Sequence, residues 1–372
     1  MPLVALLAAA IWFVARPTWA GPFEVAGAAL LAAYGLTPAA RLVALGWGVL
    51  DAPEPRKSHR VPTPKLGGTA VVAAFVLVTG RRVLLDVELL AIVVCALILM
   101  AAGALDDTRG LPAWLRLALQ TACAAGVIGA GVRLHVLPDS AGAAGAAGDL
   151  ALTLLWIIGI TNAYNFIDGI DGLAAALGGM IALLLAVVAA DAGQTSLVVA
   201  CAALAGALLG FLPHNLRPGR AASIFLGDSG SGSVGFLLAT LAVQVDWAEG
   251  DPLVALTAPV LIFSVLIYDM LQTTVSRLAT GRVRSFREWI DYTGRDHIHH
   301  RLSVVLGGPR RALALILTLA LGLGLSALGL RRGSNGEAVI FLVHGTLILL
   351  VVEILLGAAR RVRGRTAGDQ AP

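Results

Sequence analysis

The chain has 372 residues, of which 58% are hydrophobic and only 13% are charged. An average soluble domain carries about 25% charged residues, so this composition excludes an ordinary soluble enzyme and indicates a protein that crosses a membrane several times. The net charge of +4 is small, and we interpret it by membrane side; it does not indicate nucleic-acid binding.

Apolar runs along the chain predict an all-α fold, a polytopic membrane helix bundle. A helix spans a bilayer with about 20 apolar residues, and on this basis we predict about eleven transmembrane helices in one integral-membrane domain, 1–372. They are predicted at 25–48, 67–80, 84–104, 112–132, 150–166, 172–190, 196–213, 232–247, 253–275, 312–330 and 338–359. Residues 2–20, within the N-terminal segment 1–22, form a weaker twelfth span, for which a cleaved signal peptide is the alternative. The chain ends in a basic tail, 360–372, and the Gly/Ala tract 141–148 is predicted to be a flexible loop.

Five short polar motifs interrupt the apolar runs. They read RKSHRVPTPKLGG (56–68), LDDTRGL (105–111), NAYNFIDGIDGL (162–173), IFLGDSGSGSVGF (224–236) and RDHIHHRL (295–302). Charged side chains are costly in hydrocarbon, so a membrane protein keeps them where they function or where water reaches them. If all five motifs lie on one face of the membrane, they describe one active site.

The distribution of Lys and Arg indicates which face this is. Alternating the predicted helices puts the loops 49–66, 105–111, 167–171, 214–231 and 276–311 on one side, together with the C-terminal tail. That side carries nineteen Lys and Arg residues and the other side carries six. Because positive charge is retained on the inner side of the membrane, we predict that all five motifs are cytoplasmic.

The second motif places two adjacent carboxylates, Asp106 and Asp107, at the end of a predicted helix. Adjacent carboxylates repel each other unless a cation lies between them, so the pair indicates a magnesium or metal–diphosphate site. A solvated helix end beside Arg109 is the alternative.

The third motif carries two pairs of polar side chains, Asn162 with Asn165 and Asp168 with Asp171. In each pair the residues are three apart, which puts them on one helix face. We interpret the motif as a polar pocket, and a simple acidic hairpin turn is the alternative.

The fourth motif sets Asp228 among glycines and small residues before a predicted helix, a pattern that fits phosphate binding at a helix N-terminus as well as an ordinary loop. Phe225, just before it, is a candidate for stacking on a base.

The fifth motif concentrates His297, His299 and His300 between arginines. Zinc is disfavoured there because no cysteine accompanies the histidines and the other motifs supply the oxygen ligands that suit magnesium.

These residues together predict phosphoryl transfer, in which positioning and charge neutralisation carry most of the catalysis. Carboxylates would hold a divalent cation, and Arg, Lys and His side chains would hold phosphates; Lys57, His59 and Lys65 of the first motif add donors. A phosphate monoester is mostly dianionic at pH 7, so a lipid phosphate acceptor would hardly need a strong base.

In this order and on this topology, the five motifs resemble those of the polyprenyl-phosphate N-acetylhexosamine-1-phosphate transferase family (glycosyltransferase family 4), over roughly residues 26–330. The sequence HIHHRL at 297–302, NFIDG at 165–169 and an additional C-terminal span favour the branch that uses UDP-GlcNAc over the muramoyl-pentapeptide branch. The segment between Asn215 and Phe225 is a few residues longer than is usual in the family, so the resemblance does not extend to Asn215 as a uracil contact.

The resemblance implies transfer of GlcNAc-1-phosphate from UDP-GlcNAc to undecaprenyl phosphate at the inner membrane, with release of UMP, as the first membrane step of a cell-surface glycopolymer. It implies Mg²⁺ as cofactor, with Mn²⁺ as a substitute, and sensitivity to tunicamycin. The implied partners are a UDP-N-acetylhexosamine, undecaprenyl phosphate and the bilayer, without nucleic acid; a homodimer is left open. The residues assigned to catalysis are Asp106, Asp107, Asp228, His299 and His300, with Asp228 and Asp107 as metal ligands. Those assigned to substrate binding are Lys57, His59, Asn162, Asn165, Asp168, Asp171, Phe225, His297 and Arg301.

Three alternatives stay open at this point. The donor could be the muramoyl-pentapeptide nucleotide or another UDP-N-acetylhexosamine. A transporter or flippase would keep its charges near mid-bilayer and break its helices there, whereas the acids of this chain cluster at predicted helix ends. A non-catalytic scaffold is disfavoured because every motif keeps its acidic residues.

Overall fold

The computed structural model describes residues 21–52, 61–137, 139–248, 251–292 and 294–368. Its helices are α1 (Pro22–Gly46), α2 (Gly67–Val83), α3 (Val87–Arg109), α4 (Ala113–Gly129), α5 (Gly142–Ile167), α6 (Leu173–Asp191), α7 (Thr195–Asn215), α8 (Asp228–Gln244), α9 (Pro252–Ile262), α10 (Ser264–Ala279), α11 (Phe286–Asp291), α12 (Ile298–Val305), α13 (Pro309–Leu330) and α14 (Asn335–Gly368). A 3₁₀ turn, Asp139–Ala141, precedes α5. Two short strands, β1 (Leu50–Asp51) and β2 (Thr63–Pro64), pair antiparallel between α1 and α2.

The prediction of a membrane helix bundle is confirmed. Each of the eleven spans predicted from 25–48 to 338–359 falls on a helix or, at 253–275, on two. Within the described residues, seven helices are long and apolar enough to cross a membrane. The number is eight when the bent pair α9–α10 is counted as one span. The helices α2, α4 and α8 have 17 residues each and rise only about 25 Å, somewhat less than the hydrocarbon core of about 30 Å. The weaker span at 2–20 lies outside the described residues.

The core is built around α6, α7 and α8. Ala, Leu and Gly occur on every side of α6 and α7, so these helices can bury more than one face, and 67% and 78% of their most apolar windows are buried. The close approach of α7 to α1 depends on Gly206 and Gly210, where a Cβ would lie 2.1 Å from the backbone oxygens of Ala26 and Leu30. Small residues spaced four apart allow such backbone contact between membrane helices.

One prediction about local structure is wrong, and one predicted span is bent. The tract 141–148 is not a loop, because α5 begins at Gly142 and runs through it; alanine has the highest helix propensity and offsets the glycines. The predicted span 253–275 is broken at Phe263, where α9 and α10 meet at a bend of 80°. Pro259, one turn earlier, supplies no backbone donor and weakens the helix there.

The loops at the two ends of the bundle differ in character. At one end, polar groups join the chain segments to one another: Gln244 binds Glu88 at 2.7 Å and Asn335 binds Asp251 at 2.8 Å. The other end holds the five polar motifs, and the core helices bring them around a single opening.

Candidate active site

All five motifs contribute side chains or backbone to one cavity of about 620 Å³ at the motif end of the bundle. It is lined by Asp51, Lys65, Asp107, Asn165, Asp168, Gly169, Ile170, Asp171, Asn215, Phe225, Gly227, Asp228, Ser231, Gly294, Arg295 and His300. Acidic side chains therefore gather in the cavity from the second, third and fourth motifs, and basic side chains come from the first and fifth. This convergence makes the cavity the candidate active site.

A carboxylate joins the end of α3 to the N-terminus of α8 at the cavity. Asp107, at the end of α3, accepts hydrogen bonds from the backbone N–H groups of Asp228 (3.2 Å) and Ser229 (3.1 Å). A carboxylate is stabilising at a helix N-terminus because the first N–H groups lack partners in the helix. The Lys65 ammonium lies 3.6 Å from Asp107 and 3.7 Å from Asp51. Asn165 donates to Asp228 Oδ1 at 3.2 Å, so Asp228 is fixed through its backbone and its side chain.

Asp168 lies deep in the acidic cluster, just after α5 ends. Burial is the largest cause that raises the pKa of Asp168 to about 7, and the carboxylates of Asp228, Asp107 and Asp171 raise it further. The carboxylates of Asp107, Asp168, Asp171 and Asp228 thus line one cavity, and each disfavours charge on the others. A cation is the natural complement of this arrangement.

The third and fourth motifs are joined by a buried amide. Asn215, at the end of α7, accepts from the Gly172 backbone N–H at 2.6 Å and donates to the Ile224 carbonyl at 3.0 Å. Asp171 accepts from the Ala222 N–H at 3.2 Å. The segment between Asn215 and Phe225 is therefore tied back to the third motif.

Backbone pairing also fixes Phe225 beside the first motif. Its N–H donates to the Pro64 carbonyl at 2.7 Å, and its own carbonyl accepts from Gly67 at 2.9 Å. The half-buried ring of Phe225 lines the cavity. A flat apolar face is thus presented beside the acidic cluster, where a base could stack.

The fifth motif forms the start of α12, and its histidines occupy different places. His300 lines the cavity, whereas His299 is 1% exposed and both of its ring nitrogens lack a partner among the described residues. The His299 ring packs against Gly169, where a Cβ would lie 2.0 Å from Nε2. Burial, with added repulsion from Arg295 and His297, lowers the pKa of His300 to about 4, and burial lowers the pKa of His299 well below its ordinary value. Both rings are therefore neutral at pH 7.

His297 belongs to a buried network outside the cavity lining. Its Nδ1 lies 2.7 Å from Asp269 of α10, and its Nε2 lies 3.2 Å from the Arg277 guanidinium. Arg277 in turn binds both carboxylate oxygens of Asp296 at 2.8 Å, and this pairing holds the pKa of Asp296 below its ordinary value although burial opposes the shift. The network anchors the motif to the membrane helix α10.

Several predicted site residues in the described part of the chain lie outside the cavity lining. These are Asp106, Asn162, His297, His299 and Arg301. Asp106 accepts from the Leu111 N–H and from Arg116 at 3.0 Å, and Asn162 donates to Gln120 of α4 at 2.7 Å. Lys57 and His59 lie outside the described residues, so their assignments stay predictions, as do the catalytic and binding roles of the other residues.

The cavity also contains residues that were not assigned a role from the sequence. Ser231 lies one helical turn after Asp228, and Lys65, which the sequence already indicated as a donor of the first motif, follows β2 directly. Asp51 lies in β1, before the first motif, and no sequence pattern marks it. The β1–β2 pairing, which puts Asp51 opposite Thr63, brings it to the site.

A bundle of membrane-spanning helices with a charged cavity at one end defines a multi-pass membrane protein with a polar active site. A family model described as glycosyl transferase family 4 matches residues 89–246. The chain is 33% identical to a decaprenyl-phosphate N-acetylglucosaminephosphotransferase from Mycolicibacterium smegmatis, over 77% of each chain. It is 30% identical to a probable undecaprenyl-phosphate N-acetylglucosaminyl 1-phosphate transferase from Bacillus subtilis, over 82% of this chain and 84% of that protein. It is 29% identical to an undecaprenyl-phosphate alpha-N-acetylglucosaminyl 1-phosphate transferase from Escherichia coli, over 76% of this chain and 77% of that protein.

The protein belongs to glycosyl transferase family 4. The family resemblance predicted from the five motifs is confirmed, and the chain is an enzyme of a phosphotransferase family.

Proposed function

We propose that this enzyme transfers N-acetylglucosamine 1-phosphate from UDP-N-acetylglucosamine to undecaprenyl phosphate, giving undecaprenyl-diphospho-N-acetylglucosamine and UMP. The convergence of all five motifs on one cavity carries the proposal. The three relatives described above are polyprenyl-phosphate N-acetylglucosamine phosphotransferases by name, and they supply the sugar and the class of lipid. A cavity at the end of a membrane bundle suits a reaction between a water-soluble nucleotide sugar and a lipid.

The proposal divides the cavity between two substrates. Phe225 and the residues around Asn215 form the side on which a uracil ring would stack, and Asp171 and Asn165 supply polar groups toward the sugar. Lys65, Arg295 and the neutral His300 lie where phosphate oxygens need donors. The prenyl chain would remain in the bilayer.

The donor set fits a bound Mg²⁺. Within the described ranges, no three His, Cys, Asp or Glu side chains are close enough to hold a metal on their own. Magnesium seldom needs such a cage, because it commonly binds one or two carboxylates together with substrate phosphates and water. Asp228 and Asp107 would hold it, and a cation would offset the repulsion among the carboxylates that line the cavity. When bound, Mg²⁺ would neutralise charge on the diphosphate.

The main obstacle to the reaction is repulsion between two anions. Two unit charges 4 Å apart interact by about 4 kcal/mol at an effective dielectric near 20. The lipid phosphate is mostly dianionic at pH 7 and attacks without a strong base. Asp107 already accepts from two N–H groups and lies beside Lys65, so we assign it to charge and position rather than to proton abstraction.

The proposal also puts the cavity on the cytoplasmic face of the inner membrane. Its support is the excess of Lys and Arg on the motif-bearing side, nineteen against six. UDP-sugars are made in the cytoplasm, so this face is the one on which the donor is supplied.

UMP release by the purified enzyme in nanodiscs tests the function. We expect release with UDP-N-acetylglucosamine plus undecaprenyl phosphate, little with other UDP-sugars, loss on chelation and recovery with Mg²⁺. Asp228→Asn should insert and fold yet release UMP at least about a hundredfold more slowly, because it removes the charge that neighbouring groups are arranged to hold. Tunicamycin should compete with the UDP-sugar. Near-normal turnover of Asp228→Asn would contradict the assignment of Asp228 as a metal ligand. Turnover with a different UDP-sugar, and none with UDP-N-acetylglucosamine, would contradict the proposed donor.

A further inference from the structure

The eight-residue helix α12 carries the fifth motif to the cavity. It puts His300 in the lining and packs His299 against Gly169 of the third motif. A helix this short is not stable by itself, so its position depends on the side chains that fasten it to the longer helices.

One fastening lies at the N-terminus of α12. Asp269 of α10 accepts from the Ile298 backbone N–H at 2.6 Å and lies 2.7 Å from His297 Nδ1. This carboxylate fixes where α12 begins and leaves its middle and end to other contacts.

The second fastening is an ion pair with the last helix. Arg301, whose side chain is 3% exposed, donates from Nη2 to Glu353 Oε1 at 2.6 Å. Tyr268, the residue before Asp269, donates its hydroxyl to the other oxygen of Glu353 at 2.6 Å. The Nε and Nη1 groups of Arg301 have no partner in the described part of the chain, so the buried guanidinium depends on Glu353.

Glu353 is an unusual residue for its place. It lies in the apolar stretch of α14, Asn335–Ala359, whose other acid is Glu337 at the opposite end. An acid within a membrane helix is costly unless it is paired, and it is a marker of function. Its partner Arg301 connects it to α12, the helix that carries His300, and its partner Tyr268 connects it to α10.

We propose that Glu353 is a positioning residue for the transfer reaction: through Arg301 it holds α12, and therefore His300, at the wall of the cavity. The last membrane helix is then part of the catalytic framework and not only an anchor. This inference rests on the proposed function for its kinetic readout, and its structural readout is independent of it.

Kinetics and hydrogen exchange test the inference in nanodisc-embedded enzyme. Glu353→Ala leaves the buried Arg301 without an acceptor, so α12 shifts and kcat for UMP release should fall roughly a hundredfold, as ångström-scale misplacement produces, with a smaller change in KM for UDP-N-acetylglucosamine. Glu353→Gln, which keeps an acceptor without the charge, should recover part of the loss. In an Arg301→Ala background, Glu353→Ala should have little further effect, because both changes break the same connection.

Glu337→Gln, on the same helix, is the matched control and should leave kcat unchanged. Amide exchange of residues 298–305 should be faster in Glu353→Ala and unchanged in Glu337→Gln. If Glu353→Ala does not fold, Glu353→Gln and Tyr268→Phe take its place, with smaller effects expected in the same direction. A kcat within about twofold of wild type in folded Glu353 variants overturns the inference, as does a full additional loss in the Arg301→Ala background. If wild type itself releases no UMP, the proposed function fails, and the exchange result decides the inference alone.

Discussion

At the scale of single residues, the two adjacent acids of the second motif have different surroundings. Successive residues of a helix point about 100° apart, so Asp106 and Asp107 point in different directions. Asp107 faces the N-terminus of α8 and is buried, while Asp106 turns to Leu111 and Arg116 in the loop after α3. The sequence shows them as a pair, and the structure separates their surroundings.

We therefore expect different results from the two isosteric substitutions. Asp107→Asn puts an NH₂ group against one of two backbone donors and removes the charge beside Lys65, so Asp228 is displaced and turnover should fall roughly a hundredfold. Asp106→Asn keeps an acceptor for Leu111 and weakens an ion pair to a half-exposed arginine, an interaction that contributes at most about 1 kcal/mol. It should keep most of the activity. Equal losses in UMP release from the two variants would show that Asp106 also acts in the reaction.

The histidines of the fifth motif give a prediction about pH. Because burial first, and Arg295 next, lowers the pKa of His300 to about 4, its ring binds a proton only as the pH falls toward 4 and is neutral from pH 6 to 8. His300→Gln should therefore reduce kcat/KM without changing the shape of its pH profile in that interval. An acidic limb between pH 6 and 7 in wild type that disappears in His300→Gln would show that the histidine is protonated near neutrality.

At the scale of helices, the position of Asp228 depends on the close approach of α3 to α8. A Cβ at Gly103 would lie 2.4 Å from the Asp228 carbonyl oxygen and 2.6 Å from Ser229 Cα, both backbone atoms that cannot rotate away. The N-terminus of α8 would have to move with its carboxylate. The contact is thus a steric condition for the site, set one turn before the acids of the second motif.

Gly103→Ala should consequently lower both stability and turnover. Overpacking of a fitted contact typically costs about 1–3 kcal/mol, which should appear as a lower unfolding temperature in detergent together with reduced UMP release. Gly80→Ala is the matched control, because the Cβ it adds to α2 would meet no packed atom from elsewhere in the described structure within 4 Å. The control should match wild type. Normal activity in Gly103→Ala would mean that α8 tolerates displacement without loss of the site.

Sequence patterns predict the helices well because the membrane leaves few options for an apolar run of 20 residues. They also bring the five motifs together, since loops on one side of a bundle end near one another. They do not show that the Gly/Ala tract joins α5, or that α9 and α10 part at Phe263, because these outcomes depend on neighbouring helices. Likewise, nothing local marks Asn215 as the link between Gly172 and Ile224, since its partners are 43 and 9 residues away.

At the scale of the whole molecule, the bundle separates two functions between its ends. Polar pairs at the far end, such as Glu88 with Gln244 and Asp191 with Arg332, join loops to one another. The motif end also contains ion pairs, such as Arg277 with Asp296, but several of its carboxylates and the basic side chains Lys65 and Arg295 line a cavity. The far end thus uses its polar groups to join loops, while the motif end also presents charged side chains to a cavity in which ligands can bind.

The orientation of these two ends in the membrane can be tested with a matched pair of cysteines. Ala221, in the loop before α8, and Ser140, before α5, are both exposed, and the helices α5, α6 and α7 lie between them. Three crossings put the two positions on opposite faces. The native cysteines Cys95, Cys123 and Cys201 are buried and should give little background labelling.

We expect an impermeant maleimide to label Ser140→Cys in intact cells, and Ala221→Cys only in inverted membrane vesicles. Reversed labelling would contradict the cytoplasmic cavity that the Lys and Arg distribution predicts, whereas labelling of both from one face would mean that one of the three helices does not cross the membrane.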